Sequence, residues 1–231
     1  MVGYIHSVQS MITLDGPGMR SVVFMSGCAL RCAYCHNPDT WSMKGGTEYT
    51  PEALVRKLLR FKPYIKNGGV TFSGGEPCLQ AKFVTECAEL LRKDGYNIAL
   101  DTAGVLLTED VEALLDKIDI ALLDVKFTSE DDYSSYTGGS LGVALKFLQA
   151  LNERKIRTWI RHVVVPDIND TKEDVQRLKD LLAPYECVEK IELLPFRRLC
   201  VKKYNELGIP FPLAETDELS DEKLNELKEL L

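Results

Sequence analysis

The sequence has no apolar run that approaches the length needed to cross a bilayer. Residues 1–6 lack a basic region followed by an apolar core, so we expect no secretory signal there. Basic residues number 28 against 35 acidic ones, and the net charge of −7 disfavours nucleic-acid binding. The composition, with 45% hydrophobic residues, is that of an ordinary globular protein, and we expect partners that include neither nucleic acid nor membrane.

A disulfide framework is also missing from the sequence. Four of the seven cysteines are scattered and match no ligand spacing: Cys78, Cys87, Cys187 and Cys200. An odd total, in a chain of 231 residues that is long enough to bury a core without cross-links, argues against paired cysteines. We therefore predict free thiols and a reducing, cytoplasmic location.

The other three cysteines form the densest feature of the sequence. Cys28, Cys32 and Cys35 lie within eight residues, and soft thiolates suit zinc or iron–sulfur clusters. Three thiolates hold three corners of a [4Fe–4S] cluster and leave one iron open to an exchangeable ligand. Structural zinc wants a fourth ligand, and His36 is too close to Cys35 in sequence to chelate the same ion comfortably. Packed free thiols give no reason for this spacing, and a disulfide leaves one thiol over, so we favour the cluster.

Six short apolar runs alternate with helical patterns along the chain. Strands are predicted at 21–25, 69–73, 96–101, 118–125, 157–165 and 188–194, after a strand or hairpin arm at 3–13. Helices are predicted at 51–65, 80–94, 108–117, 140–153 and 172–182, and from about 220. This alternation indicates βα units and a parallel sheet, so we assign the α/β class. No Pro/Gly-rich linker interrupts it, and residues 1–231 are expected to form one domain.

Chemically distinctive residues follow the ends of these strands. The cysteine loop, the Gly74-Gly75 pair, Asp101 and Lys126 each come after a strand, at the edge where barrel-type folds place their active sites. Paired glycines let the backbone approach a ligand closely. Asp101 and Lys126 would grip a zwitterionic amino acid through charge-assisted bonds, or would pair with each other.

Three motifs together resemble one family. The cysteine spacing resembles the radical S-adenosylmethionine enzymes. Within them, the pyruvate formate-lyase activating enzymes are matched by Asp15-Gly16-Pro17-Gly18, Tyr34-Cys35-His36-Asn37 and Ser73-Gly74-Gly75-Glu76. The resemblance covers about residues 4–195. It implies a partial (β/α)6 barrel, one [4Fe–4S] cluster, and S-adenosylmethionine that is reductively cleaved to generate a glycyl radical on a partner protein. A flavodoxin- or ferredoxin-type electron donor is implied as well.

The resemblance also implies roles for individual residues. The Gly74-Gly75-Glu76 turn and Asp101 lie near the methionyl amine, Lys126 near the carboxylate, and Arg161 near the sulfonium. Asp15 belongs to a substrate loop, or the Gly/Pro turn that holds it only reverses the chain. Further cofactor contacts are implied for Tyr34, Cys35, His36, Asp124 and Val125. Either a monovalent cation or lysines and backbone amides satisfy the oxygens of Asp101, Thr102 and Asp124.

One departure from the family pattern and one absence bear on the finer function. The family usually has a histidine at the ribose where this chain has Arg197, which can donate to the same hydroxyls but cannot act as a neutral imidazole. No cysteine lies between His36 and Ser73, where activases of several other glycyl radical enzymes carry extra clusters, and this favours pyruvate formate-lyase as the partner. The alternatives are another glycyl radical enzyme, a small-molecule substrate, or a non-catalytic metal-binding module.

Overall fold

The fold is built on one open, mostly parallel sheet. The computed structural model describes residues 1–65 and 67–231. Within them the strands are β1 Gly3–Ile12, β2 Arg20–Met25, β3 Thr47–Tyr49, β4 Gly69–Gly74, β5 Asn97–Thr102, β6 Ile120–Asp124, β7 Arg157–Val164 and β8 Val188–Pro195. Their order is β3-β1-β2-β4-β5-β6-β7-β8. From β2 through β8 each neighbouring pair is parallel, and β1 is antiparallel to both β2 and β3.

Helices connect the parallel strands and cover the outer face of the sheet. In the same residues they are α1 Pro51–Leu59, α2 Ala81–Lys93, α3 Glu109–Leu115, α4 Glu130–Thr137, α5 Leu141–Glu153, α6 Lys172–Leu182, α7 Val201–Leu207 and α8 Asp221–Lys228. A threonine or serine hydroxyl accepts a backbone N–H at the start of several of them, as Thr171 does in the capping box of α6. Among the described residues, no helix combines the length and apolarity that crossing a membrane requires.

The predicted α/β class and the six parallel strands are confirmed, and the N-terminal arm is strand β1. The helix predicted over 51–65 is wrong beyond Leu59. Pro63 lacks a backbone N–H and disfavours helical geometry at the residue before it, so the chain continues as a short 3-10 helix at Lys62–Tyr64. Strand β3 and helices α4 and α7 were not predicted.

The curved sheet has an apolar inner face that turns polar toward the strand ends. Ala99, Ile120 and Leu122 form a small buried cluster, with Trp159 packed against it, separate from the main core under the helices. Successive side chains of a strand alternate between its two faces. The residues two positions further along β5, β6 and β7 therefore share this inner face, and they are Asp101, Asp124 and Arg161. These three charged side chains therefore lie next to the apolar cluster, on its side toward the C-terminal ends of the strands.

Candidate active site

A cavity of about 320 Å³ opens at the C-terminal ends of the parallel strands. The edge is the one on which α/β folds place ligands. Most of the residues predicted from sequence line it: Asp15, Cys28, Cys32, Tyr34, Cys35, His36, Gly74, Gly75, Asp101, Thr102, Asp124, Lys126 and Arg161. Ser73, Trp41 and Leu194 are among the other lining residues, and they had not been predicted as site residues.

The three motif cysteines lie on one loop directly after β2. Cys32 is buried, whereas Cys28 and Cys35 are half-buried. The backbone N–H of Gly27 donates to the Thr40 carbonyl over 2.7 Å, and that of Cys35 donates to the Cys32 carbonyl over 3.0 Å. These bonds close the loop on itself, and all three cysteines line the same cavity.

Burial favours the protonated form of these thiols. It raises the pKa of Cys28 to about 11 and that of Cys32 to about 12, against an opposing contribution from the nearby Lys126 ammonium. Metal binding must therefore displace their protons. In residues 1–65 and 67–231, no three His, Cys, Asp or Glu side chains converge to hold a single ion. A cubic cluster has no such requirement, because each thiolate binds a different iron, and the donor set fits it.

The Gly74-Gly75 pair allows the β4 turn to press against the start of the cysteine loop. Gly74 has φ +104°, which favours glycine, and a Cβ on Gly75 would lie 2.2 Å from the carbonyl oxygen of Gly27. Gly75 N–H donates to the Met25 carbonyl over 2.9 Å, and the next N–H donates to the Gly27 carbonyl over 2.7 Å. The turn and the cysteine loop thus form one backbone unit beside the cavity.

Glu76, although predicted as a cofactor contact, lies outside the cavity lining and is fully buried. Its carboxylate accepts the Thr102 hydroxyl over 2.6 Å and the backbone N–H groups of Cys78 and Ala103 over 3.0 Å each. Burial raises its pKa, and these three bonds oppose that rise. The side chain therefore ties the glycine turn to the end of β5.

Two separate ion pairs form the charged wall. Asp101 accepts the Ser73 hydroxyl over 2.6 Å and Arg161 Nη1 over 3.2 Å. Lys126 Nζ lies 2.5 Å from Asp124 Oδ2. Burial raises the pKa of Asp101 to about 6 despite the opposing Arg161 guanidinium. Burial also disfavours the Lys126 ammonium, yet Asp124 and Cys32 raise its pKa overall.

Arg161 connects this wall to the loop that carries Asp15. Its Nη2 donates to the Leu14 carbonyl over 2.7 Å and to Asp15 Oδ1 over 3.2 Å. Glu192 of β8 lies 3.6 Å from its Nε. The carboxylates around it raise the pKa of Arg161 against the effect of burial. One guanidinium therefore joins β5, β7, β8 and the β1–β2 loop.

Besides Glu76, two further predicted residues lie outside the cavity lining. Val125 is fully buried, and its carbonyl is 2.7 Å from His162 Nδ1. Arg197 donates to the Leu219 carbonyl and, over 2.6 Å, to Asp221 Oδ1. Its own carbonyl meets Nε2 of the exposed His36 at 2.9 Å. The structure therefore brings the Arg197 backbone, and not its guanidinium, to the cysteine loop.

Lys203 of α7 is a site-positioning residue that sequence reasoning missed. Its Nζ donates to Asn37 Oδ1 over 2.8 Å and to Asp39 Oδ1 over 3.0 Å, just after the last cysteine. On the same helix, Tyr204 meets Trp41 edge to face at 6.0 Å between ring centroids. The two contacts span more than 160 residues of sequence, so no local signal could have found them.

The fold and this constellation together define a class of protein, and the chain belongs to the Radical SAM superfamily, whose profile matches residues 22–182. Enzymes of this family use a [4Fe–4S] cluster and S-adenosylmethionine. Over its whole length the chain is similar to the pyruvate formate-lyase-activating enzyme of Clostridium pasteurianum, with 44% identity over 233 residues covering 100% of this chain and 98% of that one. The enzyme of the same name from Staphylococcus epidermidis is 40% identical, covering 97% and 93%.

A solved structure shares the fold. A domain of a pyruvate-formate lyase-activating enzyme from Bacteroides vulgatus superposes with a TM-score of 0.59, covering 71% of this chain and 93% of that one at 22% identity. At this identity the likeness shows the fold alone. The family and the partial barrel expected from the sequence are therefore confirmed.

Proposed function

We propose that this chain activates pyruvate formate-lyase by generating a glycyl radical on it. In this proposal residues 1–231 act as one radical S-adenosylmethionine domain, with one [4Fe–4S] cluster bound by Cys28, Cys32 and Cys35. The observation that carries the proposal is that Cys28, Cys32 and Cys35 line the same cavity as Asp101 and Lys126. Full-length similarity to two activating enzymes of that name supports the choice of partner.

The cavity residues bind and orient S-adenosylmethionine. Asp101 accepts the methionyl ammonium and Lys126 donates to the carboxylate, each through charge-assisted bonds. Gly74 and Gly75 leave room for the methionyl end beside the turn, and Tyr34 and His36 border the cluster side. Arg161 fixes the Asp101 carboxylate. When bound, the cluster supplies the electron that cleaves S-adenosylmethionine, and the adenosyl fragment then takes a hydrogen atom from the partner's glycine.

The partner and the electron source follow from the same proposal. The sheet does not close between β8 and β3, and this supports entry of a flexible glycine-bearing loop toward Asp15. A flavodoxin- or ferredoxin-type protein is the proposed one-electron donor. Free thiols at all seven cysteines and an oxygen-sensitive cluster suit the reducing cytoplasm.

A monovalent cation at Asp101, Thr102 and Asp124 stays a separate prediction. Each of these side chains already has a protein partner. Thr102 donates to Glu76, whereas Asp101 and Asp124 accept from Arg161 and Lys126 respectively. A requirement for added sodium or potassium in turnover by the reconstituted protein would support the cation, and equal rates with and without both ions would exclude it.

Anaerobic reconstitution with iron and sulfide tests the proposal as a whole. We expect a [4Fe–4S] absorbance, release of 5′-deoxyadenosine upon reduction, and a glycyl radical signal by electron paramagnetic resonance when pyruvate formate-lyase is added. Cys32→Ala is the matched variant and should lose all three. Cleavage without a radical on pyruvate formate-lyase would leave the family intact and contradict the proposed partner.

A further inference from the structure

Arg20, at the start of β2, is fully buried and does not line the cavity. Its five N–H groups all have acceptors, and every acceptor is a neutral oxygen: Thr71 Oγ1 at 2.7 Å, Pro17 O at 3.1 Å, Val70 O at 3.0 Å, Asn97 Oδ1 at 3.0 Å and Asn97 O at 3.2 Å. A buried charge without a counter-charge in contact is costly. Apolar side chains would fill the same space without the free-energy cost of burying a charge. The hydrogen bonds of Arg20 are therefore expected to have a role beyond filling the core.

Two of those bonds lead to the loop that carries Asp15, residues 13–19. Arg20 Nη1 donates directly to the carbonyl of Pro17. Arg20 Nε donates to the Thr71 hydroxyl, which in turn donates to the carbonyl of Asp15 over 2.6 Å. The guanidinium therefore fixes two carbonyls of this loop and links them to β4 and to Asn97 of β5.

The geometry of the loop explains why it needs such support. Gly16 has φ +115° and Gly18 has φ +74°, and a Cβ on Gly16 would lie 3.2 Å from Arg20 Cδ. Glycines lose the most conformational freedom when they are ordered. The loop must nevertheless hold one conformation, because its Asp15 carboxylate lines the cavity. Arg20 fixes it from below, and Arg161 fixes it from the cavity side.

We infer that Arg20 is a positioning residue that holds the 13–19 loop ready for the partner's glycine segment. Arg20 lies outside the cavity lining, so it acts through Thr71 and the loop carbonyls and not on S-adenosylmethionine. This inference deepens the proposed function and rests on it for the chemical coupling. The order of the loop itself does not depend on that function.

The test compares Arg20→Met with Arg20→Lys in the reconstituted protein. The first readout is hydrogen–deuterium exchange of residues 13–19. The second is the glycyl radical yield on pyruvate formate-lyase per 5′-deoxyadenosine released.

Losing a buried charge-assisted bond corresponds to about tenfold or more in an equilibrium, so Arg20→Met should speed loop exchange by at least about tenfold. A misplaced binding group costs about tenfold or more in coupled turnover, whereas cleavage without the partner should stay near wild type. Arg20→Lys, which keeps the charge, should fall between.

Leu178→Ala, a fully buried change in α6, is the control for general destabilisation and should alter neither readout below its melting temperature. If Arg20→Met does not fold, Thr71→Val removes the hydroxyl that joins Arg20 to the Asp15 carbonyl and should reproduce both changes. Wild-type loop exchange in the folded variants would overturn the inference, as would equal changes in Leu178→Ala. A wild-type protein that forms no glycyl radical would contradict the proposed function, and the exchange measurement would still decide the role of Arg20.

Discussion

Single residues decide how the cavity holds its charge. The sequence left open whether Asp101 and Lys126 pair with each other, and the structure gives them different partners. Asp101 is bonded to Ser73 and Arg161, and Lys126 to Asp124. Both stay on the cavity wall, one as an acceptor and one as a donor. Because Asp101 and Lys126 are not paired with each other, one can accept from the ammonium of a zwitterion while the other donates to its carboxylate.

Asp101→Ala and Lys126→Ala should each weaken binding of S-adenosylmethionine and leave the cluster in place. A lost bond to a charged group costs about 1.5–3 kcal/mol, which is about tenfold or more in affinity. Isothermal titration of the reconstituted variants measures this. Lys117→Ala, which removes an exposed pair with Glu89, is the control. Unchanged affinity in both site variants would contradict the assignment.

Gly75→Ala should destabilise the protein, because the added Cβ would lie 2.2 Å from the Gly27 carbonyl oxygen. Overpacking of this kind costs about 1–3 kcal/mol. Gly142→Ala in α5 is the matched control, since its nearest neighbour would be Ser140 Oγ at 3.6 Å, and it should stabilise by about 0.4–1 kcal/mol. Denaturant unfolding of both variants decides. A Gly75→Ala protein as stable as wild type would mean that the turn is not tied to the cysteine loop.

His162 predicts a pH dependence of stability. It is buried, with Nδ1 2.7 Å from the Val125 carbonyl and Nε2 3.0 Å from Asn169 Nδ2, so the neutral ring satisfies one donor and one acceptor. Burial lowers its pKa below the ordinary 6.5. As the pH falls through about 6.5 the unfolded chain binds the extra proton, and stability must fall.

The free energy of unfolding should therefore decrease from pH 7.5 to 5.5, with a contribution of at most about 1.4 kcal/mol per pH unit from this histidine. His162→Gln should show a shallower decrease over the same range. Denaturant titrations at each pH measure the difference between the two proteins, in which the other titrating groups cancel. Parallel curves would mean that His162 binds its proton equally well in the folded state.

At the scale of elements, most strands and helices were predictable, and β3, α4 and α7 were not. Helix α4 buries only Tyr133 and Thr137, so it has no apolar periodicity to recognise. Its ends did carry signals, since Ser129 caps Asp132 and Gly138 ends the helix at φ +71°. Strand β3 is three residues long and forms only through pairing with β1.

Helix α7 matters because it holds the cysteine loop from outside. Lys203→Met should speed loss of the cluster in air or chelator, because the bonds to Asn37 and Asp39 disappear. At a partly exposed site the cost is about 1 kcal/mol or less, so we expect up to about fivefold faster loss by absorbance. Lys202→Met, its exposed neighbour, should behave as wild type. Equal rates for the two variants would show that α7 does not support the loop.

At the scale of the whole molecule, the sequence located the site but not its connections. Cysteine spacing and strand-end residues are local patterns, and together with the family resemblance they predicted most of the cavity lining. The bond between Arg161 and Asp15 joins residues 146 positions apart, and only the curvature of the sheet brings them together. The guanidinium of Arg197 likewise lies away from the cavity because it donates to Leu219 and Asp221 in the C-terminal segment. Such contacts have no signature in a single sequence.

The open edge of the sheet leaves a route into the cavity for a glycine of another protein. Cys28, Cys32 and Cys35 line this cavity together with Asp15. The most direct measurement uses pyruvate formate-lyase whose glycines carry deuterium at Cα. The reconstituted protein is reduced with unlabelled S-adenosylmethionine, and the 5′-deoxyadenosine is analysed by mass spectrometry. We expect one deuterium per 5′-deoxyadenosine, in step with the glycyl radical signal. Unlabelled 5′-deoxyadenosine, formed while the partner gains no radical, would contradict it.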